Sequence, residues 1–84
     1  MAAKEVLDQV IRLVAETIEE ASGRAVDLTP ESELLNSGLV DSLAVLQLFT
    51  KLQEAFEVEL DVDDLTETTF GTPSAIANLI EERS

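Results

Sequence analysis

Residues 41–56 have the sequence DSLAVLQLFTKLQEAF, in which an Asp-Ser pair precedes apolar residues at helical spacing. Asp or Ser directly before such a segment is typical of a helix N-terminus, because its side-chain oxygen can accept a hydrogen bond from an otherwise unpaired backbone N–H. At about 100° per residue, one arc of this helix carries the side chains that we expect in the core. These residues are Val45, Leu48, Phe49, Leu52 and Phe56.

Two leucines of the same segment fall outside this arc. Leu43 and Leu46 lie on a polar face, and both are within about one helical turn of Ser42. Loop residues such as Leu35 or Leu39 could fold over them and bury them. Alternatively, the two leucines form a docking patch, because apolar anchors with a polar rim mark interaction sites. Periodicity alone leaves both possibilities open.

Two further segments have helical spacing. The first extends from Ala3 to Ala21 and stops at Ser22-Gly23, since glycine tolerates the left-handed conformation that often ends a helix. The last begins with Thr72 as cap and Pro73 in the first helical position, and ends near Arg83. The inward positions are Leu7, Val10, Ile11, Val14, Ile18 and Ala21 in the first helix and Ile76, Leu79 and Ile80 in the last.

The connections between these helices predict the architecture. Residues 24–41 form a loop far longer than the usual connection of about 4–6 residues, and its Leu and Val anchors indicate that it is packed. Residues 57–67 form an acidic connector with one short turn at Asp63–Leu65. We therefore expect an all-α fold, a small three-to-four-helix bundle with a long loop between helices one and two, in a single domain over residues 1–84.

Composition excludes several functional classes. The chain has 18 acidic and five basic residues and a formal charge of -13, which disfavours nucleic acid and anionic membranes and favours proteins with basic patches. It has no His and no Cys, so a hydrolytic triad, a zinc site and a protein thiol are not expected. We predict no enzymatic activity, no catalytic residue and no metal. No stretch has the length of a signal or membrane segment, and we expect a cytoplasmic protein without membrane insertion.

The acidic stretch Asp61-Val62-Asp63-Asp64 raises the possibility of a calcium loop. An EF-hand loop that starts at Asp61 requires Gly where this chain has Thr66 and Glu where it has Thr72. A solvated acidic connector is therefore the better interpretation.

Ser42 has two possible roles. As a helix cap it contributes at most about 1 kcal/mol, so its replacement by Ala should leave the fold nearly intact, and severe unfolding would support a purely structural role. However, Gly38-Leu39-Val40-Asp41-Ser42-Leu43 resembles the attachment motif of phosphopantetheine-binding carrier proteins, the acyl carrier family, whose Asp-Ser-Leu serine receives the cofactor. The resemblance covers nearly the whole chain, from the first amphipathic helix through the long loop and the acidic connector to the final helix.

The resemblance implies that Ser42 carries a covalent 4'-phosphopantetheine arm derived from coenzyme A, and it accounts for the missing Cys because the arm brings its own thiol. Acyl or aminoacyl intermediates would be held on it as thioesters, in fatty-acid, polyketide or nonribosomal-peptide biosynthesis. The implied partners are a phosphopantetheinyl transferase, an acyl- or aminoacyl-activating ligase and a downstream transferase or condensing enzyme. Asp41 and Leu43 would contact the transferase and later enzymes, Leu46 extends this partner-binding face, and we expect a monomer.

Two features concern the type of carrier. Fatty-acid carriers have a strongly acidic helix two, whereas Leu43–Phe56 contains only Glu54 and Lys51 as charged residues. Peptidyl carriers usually have two glycines before the attachment dipeptide, but this chain has Gly38-Leu39-Val40. Together with Phe70-Gly71-Thr72-Pro73, the motif is more similar to discrete carriers of the D-alanyl carrier type. The competing hypothesis is an unmodified acidic helical adaptor that binds a protein partner through the Leu43/Leu46 face.

Overall fold

The computed structural model describes residues 3–83, so both predicted domain limits lie outside the described residues. Within that range all regular secondary structure is helical, with no strand. The helices are α1 (Ala3–Ser22), α2 (Ser42–Phe56), α3 (Glu67–Phe70) and α4 (Pro73–Arg83), with a 3-10 turn at Val62–Asp64. The predicted all-α bundle with a long loop between the first two helices is confirmed. In residues 3–83 no helix combines the length and the apolar character that crossing a bilayer requires.

Helix α1 packs against both α2 and α4 through one continuous stripe. Its buried residues are Val6, Val10, Val14, Thr17 and Ile18. The Thr17 hydroxyl donates a hydrogen bond to the Leu13 carbonyl at 2.8 Å, which satisfies a polar group in an apolar environment. The predicted stripe is displaced by part of a turn, because Leu7 and Ile11 are half-buried and Ala21 is exposed. Gly23 ends the helix with φ 76°, as predicted.

Helix α2 contributes a narrower buried face than predicted. Leu48, Phe49 and Leu52 are buried, whereas Val45 and Phe56 at the edges of the predicted arc are only half-buried. Ala44 is buried instead, since the small side chain allows close packing at the start of the helix. The Phe49 ring meets Phe70 of α3 edge to face, with 6.5 Å between ring centroids. This contact joins the short helix to the core.

The long loop is hydrogen-bonded to the end of α3 and the start of α4. The Leu34 N–H donates to the Gly71 carbonyl at 2.9 Å, and the Ser74 N–H donates to the Pro30 carbonyl at 3.0 Å. Leu34 is fully buried in the core between these two bonds. Near its start the loop forms a simple turn, in which the Ser32 N–H donates to the Thr29 carbonyl at 3.1 Å. The predicted packing of the loop is thus confirmed.

The acidic connector is more structured than predicted. Its turn begins at Val62, one residue before the predicted start, and Asp61 and Asp64 close a capping box around it. Helix α3 was not predicted, and a reciprocal pair of hydrogen bonds between Thr66 and Thr69 caps it. The Thr72 hydroxyl accepts a hydrogen bond from the Ala75 N–H at 3.1 Å, which confirms the predicted cap of α4.

Candidate functional site

Asp41 is the residue that caps α2. Its backbone is extended, with φ -94° and ψ -177°, and its Oδ1 accepts a hydrogen bond from the Ala44 N–H at 2.8 Å. Its carbonyl also accepts the first intrahelical bond, from the Val45 N–H at 2.9 Å. Both features are those of an N-cap. The capping signal in the Asp-Ser pair is therefore accounted for by Asp41.

Ser42 is the first residue of α2 and is exposed to solvent. Within residues 3–83 its hydroxyl has no hydrogen-bond partner, and the N–H groups of Ser42 and Leu43 also have none. An exposed hydroxyl at a helix N-terminus thus lies beside two unpaired N–H donors and the partial positive charge of the helix. Ser42 is therefore not needed as the cap of α2, because Asp41 is the cap.

Leu43 and Leu46 flank this serine and are exposed, at 65% and 57% of their accessible surface. The possibility that loop residues cover them is wrong. Leu35 is half-buried against the core, and Leu39 is itself 38% exposed. The loop packs against α3 and α4, and it therefore leaves the outer face of α2 open. Leu39, Leu43 and Leu46, which we call the leucine patch, lie close in sequence to Ser42 and remain accessible to another molecule.

The exposed face of α2 carries little charge despite the overall charge of -13. Residues 42–53 contain a single charged residue, Lys51, and its Nζ forms an ion pair with Glu20 of α1 at 2.7 Å. The acidic residues of the chain lie mainly on α1 and in the connector after α2. The part of α2 that carries Ser42, Leu43 and Leu46 is therefore nearly uncharged and partly apolar.

An open groove of about 620 Å³ begins at Ser42. Ser42 forms part of its wall, and Glu67, the first residue of α3, contributes from a different segment. The lining residues are Leu35, Gly38, Val40, Asp41, Ser42, Val45, Leu46 and Glu67. The sequence did not identify Val40 or Glu67 as residues that line this groove. The Thr66 and Thr69 capping pair was the only local signal that could have placed Glu67 at a helix start.

Gly38 sets the path of the chain into the site. It adopts φ 78° in a turn closed by its own N–H, which donates to the Leu35 carbonyl at 3.2 Å. A Cβ atom at this position would have no neighbour within 4 Å, so the preference for glycine comes from the backbone conformation and not from crowding. Two residues later the Val40 N–H donates to the Leu34 carbonyl at 3.0 Å. Asp41 follows this turn directly and has the extended backbone of an N-cap residue.

The sequence matches the family model described as phosphopantetheine attachment site over residues 8–80. The chain belongs to this family. Among curated proteins it is similar to a D-alanyl carrier protein of Staphylococcus saprophyticus subsp. saprophyticus, with 28% identity over 75 residues that cover 89% of this chain and 92% of the relative. The protein is a carrier protein, and its cofactor is covalently bound 4'-phosphopantetheine. The family assignment supports a non-catalytic role and does not favour the unmodified adaptor.

The chain is compatible with this cofactor at the predicted position. An exposed hydroxyl without a hydrogen bond can form a phosphodiester, and the free N–H groups of Ser42 and Leu43 can face its anionic oxygens. The carboxylate of Asp41 opposes this attraction, although its Oδ1 is engaged by the Ala44 N–H. The groove beside the hydroxyl also leaves open space at the attachment point. Ser42 remains the predicted attachment residue.

Proposed function

We propose that 4'-phosphopantetheine is attached to Ser42 and that the chain presents acyl or aminoacyl intermediates to partner enzymes from this position. The observation that carries the proposal is the unpaired, exposed hydroxyl of Ser42 at the start of α2, next to a cap supplied by Asp41. When attached, the group supplies a terminal thiol that holds the intermediate as a thioester. The chain itself contributes position, because a tethered intermediate has a high effective concentration at a partner's active site.

The modification is a phosphoryl-group transfer in which Ser42 is the acceptor. Its Oγ attacks the phosphorus of coenzyme A that bears pantetheine, and a new P–O bond forms. The bond from that phosphorus to the bridging oxygen of the diphosphate breaks, and adenosine 3',5'-bisphosphate leaves. The hydroxyl proton passes to a base, which we assign to the phosphopantetheinyl transferase because this chain has no histidine.

Leu43 and Leu46 are proposed to dock the partners, together with Asp41. Exposed apolar anchors beside the reactive group, with polar neighbours such as Gln47 and Thr50, have the composition of an interaction surface. The partners that this function requires are the phosphopantetheinyl transferase, an acyl- or aminoacyl-activating ligase and a downstream transferase or condensing enzyme. The D-alanyl carrier relative makes an aminoacyl group one candidate cargo. Because the donor is coenzyme A, we place the protein in the cytoplasm.

Intact mass spectrometry tests the attachment site. The wild type, Ser42→Ala and Ser37→Ala are each incubated with coenzyme A, magnesium and a broad-specificity phosphopantetheinyl transferase. Ser37 is an exposed serine of the preceding loop and serves as the matched control. We expect a mass gain of one phosphopantetheine in the wild type and in Ser37→Ala, and none in Ser42→Ala. A mass gain in Ser42→Ala would mean that phosphopantetheine is attached at another residue. No mass gain in any of the three proteins with several transferases would favour the adaptor hypothesis.

A further inference from the structure

A strip of four exposed residues follows Ser42 along the outer side of α2. At about 100° per residue they fall within one arc of about 100°. We call them the outer strip, and they are Leu43, Leu46, Gln47 and Thr50. None of them is charged, although the whole chain has a formal charge of -13. The outer strip is therefore an uncharged surface on a strongly acidic protein.

The outer strip forms one wall of an open recess between α2 and the end of α1. The recess has a volume of about 490 Å³, and its lining residues are Glu20, Leu46, Gln47, Thr50 and Lys51. It is distinct from the groove at Ser42, and Leu46 is the residue that lines both. A molecule that contacts the leucine patch at Leu46 is thus also at the edge of this recess. The recess extends the proposed docking surface away from the attachment point.

The charges of the recess are paired with each other. The Lys51 Nζ lies 2.7 Å from a carboxylate oxygen of Glu20, so together they present little net charge to a partner. The Thr50 hydroxyl donates a hydrogen bond to the Leu46 carbonyl at 3.3 Å. The Gln47 side-chain amide, in contrast, has no hydrogen-bond partner within residues 3–83. Its N–H donors and its oxygen are available to another molecule.

Carboxylates lie at both ends of the outer strip but not within it. Asp41 precedes the strip, and its Oδ1 accepts the Ala44 N–H. The next carboxylate along α2 is Glu54, about 10 Å beyond Gln47 along the helix axis. An Arg or Lys side chain seated on the strip would lose its hydration without a free carboxylate to pair with, which is unfavourable. An apolar, uncharged surface carries no such cost, so it fits the strip better.

We propose that the outer strip and its recess bind a partner enzyme through an apolar, uncharged contact surface, and that Gln47 selects against partners whose docking surface is basic. The inference rests on the proposed function. The partner supplies an apolar side chain against Leu46 and an uncharged hydrogen-bonding group for the Gln47 amide. The acidic residues of α1 and of the connector act at longer range, outside this contact. Gln47 is thus a specificity-determining residue, and no covalent step is involved.

Two phosphopantetheinyl transferases serve as probes, one with a basic and one with an apolar, uncharged carrier-docking surface. Both are assayed on the Ser42 hydroxyl, so kcat and KM for the carrier separate chemistry from docking. Gln47→Glu exchanges the amide nitrogen for oxygen and places a carboxylate on the strip. Because that carboxylate can pair with Lys51 one turn later, Thr50→Asp adds a charge at a position that does not face Lys51. Asn78→Asp is the control, since it adds the same charge at an exposed position of α4 outside the recess.

With the uncharged transferase, we expect Gln47→Glu and Thr50→Asp to raise KM by at least about five-fold, because docking then buries an unpaired carboxylate. With the basic transferase the same variants should lower KM by about five-fold, which is the effect of one new pair of unit charges about 4 Å apart in water-like surroundings. The kcat values should stay unchanged, and Asn78→Asp should alter neither KM. Salt at about 1 M, where the Debye length is about 3 Å, should reduce the gain with the basic transferase.

The mass gain of the wild type is measured first, and urea denaturation verifies that the three variants are folded. No mass gain with either transferase would overturn the proposed function and this inference together. Normal modification, with KM values that Gln47→Glu and Thr50→Asp leave unchanged or shift in the same direction for both transferases, would overturn only this inference. A wild-type dimer that Leu46→Asp converts into a monomer in size-exclusion chromatography would also overturn it, because a second copy of the chain would then occupy the strip.

Discussion

The Oδ1 atom of Asp41 accepts a hydrogen bond from the backbone N–H of Ala44 at 2.8 Å, which makes Asp41 the cap of α2. From the sequence, either Asp41 or Ser42 could have been the N-cap of α2. The residue that is not the cap is free for another role. Because Asp41 satisfies the helix end, Ser42 is the first helical residue and its hydroxyl is unpaired within residues 3–83. The structural requirement and the chemical requirement thus fall on two adjacent residues.

Replacement of Asp41 should separate its capping role from its charge. We expect Asp41→Ala to lose about 1 kcal/mol of unfolding free energy, because the Ala44 N–H loses its acceptor. Asp41→Asn keeps an acceptor oxygen at the same position, and it should stay within about 0.5 kcal/mol of the wild type. Urea denaturation measures both values. Equal losses in the two variants would show that the charge, and not the hydrogen bond, stabilises the start of α2.

Removal of the Ser42 hydroxyl should leave stability almost unchanged. Ser42→Ala deletes an exposed group without a hydrogen bond, and such surface substitutions usually lie within about 0.5 kcal/mol. Removal of a capping serine would instead lower the free energy of unfolding by about 1 kcal/mol. Thermal or urea denaturation of the unmodified proteins distinguishes the two values. A loss above about 1 kcal/mol would mean that the hydroxyl supports the fold.

Leu46 and Leu48 lie two positions apart on α2 and should respond oppositely. Leu46 is 57% exposed, so Leu46→Ala should cost less than about 1 kcal/mol, whereas Leu48→Ala, at a residue only 1% exposed, should cost about 2–5 kcal/mol. Leu46→Asp should also remain folded and should lower the rate at which the transferase modifies Ser42. The measurements are urea denaturation and the time course of the mass gain. A severe loss of stability in Leu46→Ala would mean that Leu46 belongs to the core and not to the leucine patch.

Helical periodicity predicted the parts of the site that lie on α2. Leu43 and Leu46 fall outside the apolar arc, and their exposure follows from the geometry of one helix. The same reasoning overestimated the burial of Val45 and Phe56, because the width of the buried face depends on the residues packed against it. Ala44 is buried where α2 meets its neighbours, a property that a small side chain does not reveal in a sequence pattern.

The parts of the site contributed by other segments could not be predicted from local patterns. Val40 is buried because its N–H closes a turn onto the Leu34 carbonyl, and Leu34 is in turn held by the Gly71 carbonyl. Glu67 reaches the groove because α3 packs through Phe70 onto Phe49. These contacts join residues that are distant in sequence. The Leu and Val residues of the loop indicate that it is packed, but local sequence does not indicate which distant residues it packs against.

The ion pair between Asp64 and Arg83 predicts a pH dependence. The pKa of Asp64 is below its ordinary value of 3.8, first because the Asp61 N–H donates to its carboxylate and second because the Arg83 guanidinium does, at 2.7 Å. A carboxyl group with a lowered pKa in the folded state stabilises the fold above its unfolded pKa of about 3.9. This contribution is lost as the pH falls through the lowered folded value.

The comparison of variants isolates this effect from the general charge of the chain. Acid also relieves repulsion in a protein with a formal charge of -13, so the stability of the wild type alone is not informative. The difference in unfolding free energy between wild type and Asp64→Asn should be constant near neutral pH and should shrink below about pH 4. Asp63→Asn, at an exposed neighbour, is the control. A difference independent of pH would contradict the lowered pKa of Asp64.

Gly71 should be intolerant of any side chain. It ends α3 with an ordinary right-handed conformation, but a Cβ atom there would overlap the backbone carbonyl oxygen of Glu67. Because backbone atoms cannot move aside as a flexible side chain can, we expect Gly71→Ala to cost about 1–3 kcal/mol. The Gly71 carbonyl also accepts the Leu34 N–H, so the displacement should reach the loop and the groove. Urea denaturation gives the cost, and amide shifts at Leu34 and Glu67 report the displacement. Wild-type stability together with unchanged shifts would show that α3 can adjust without disturbing the site.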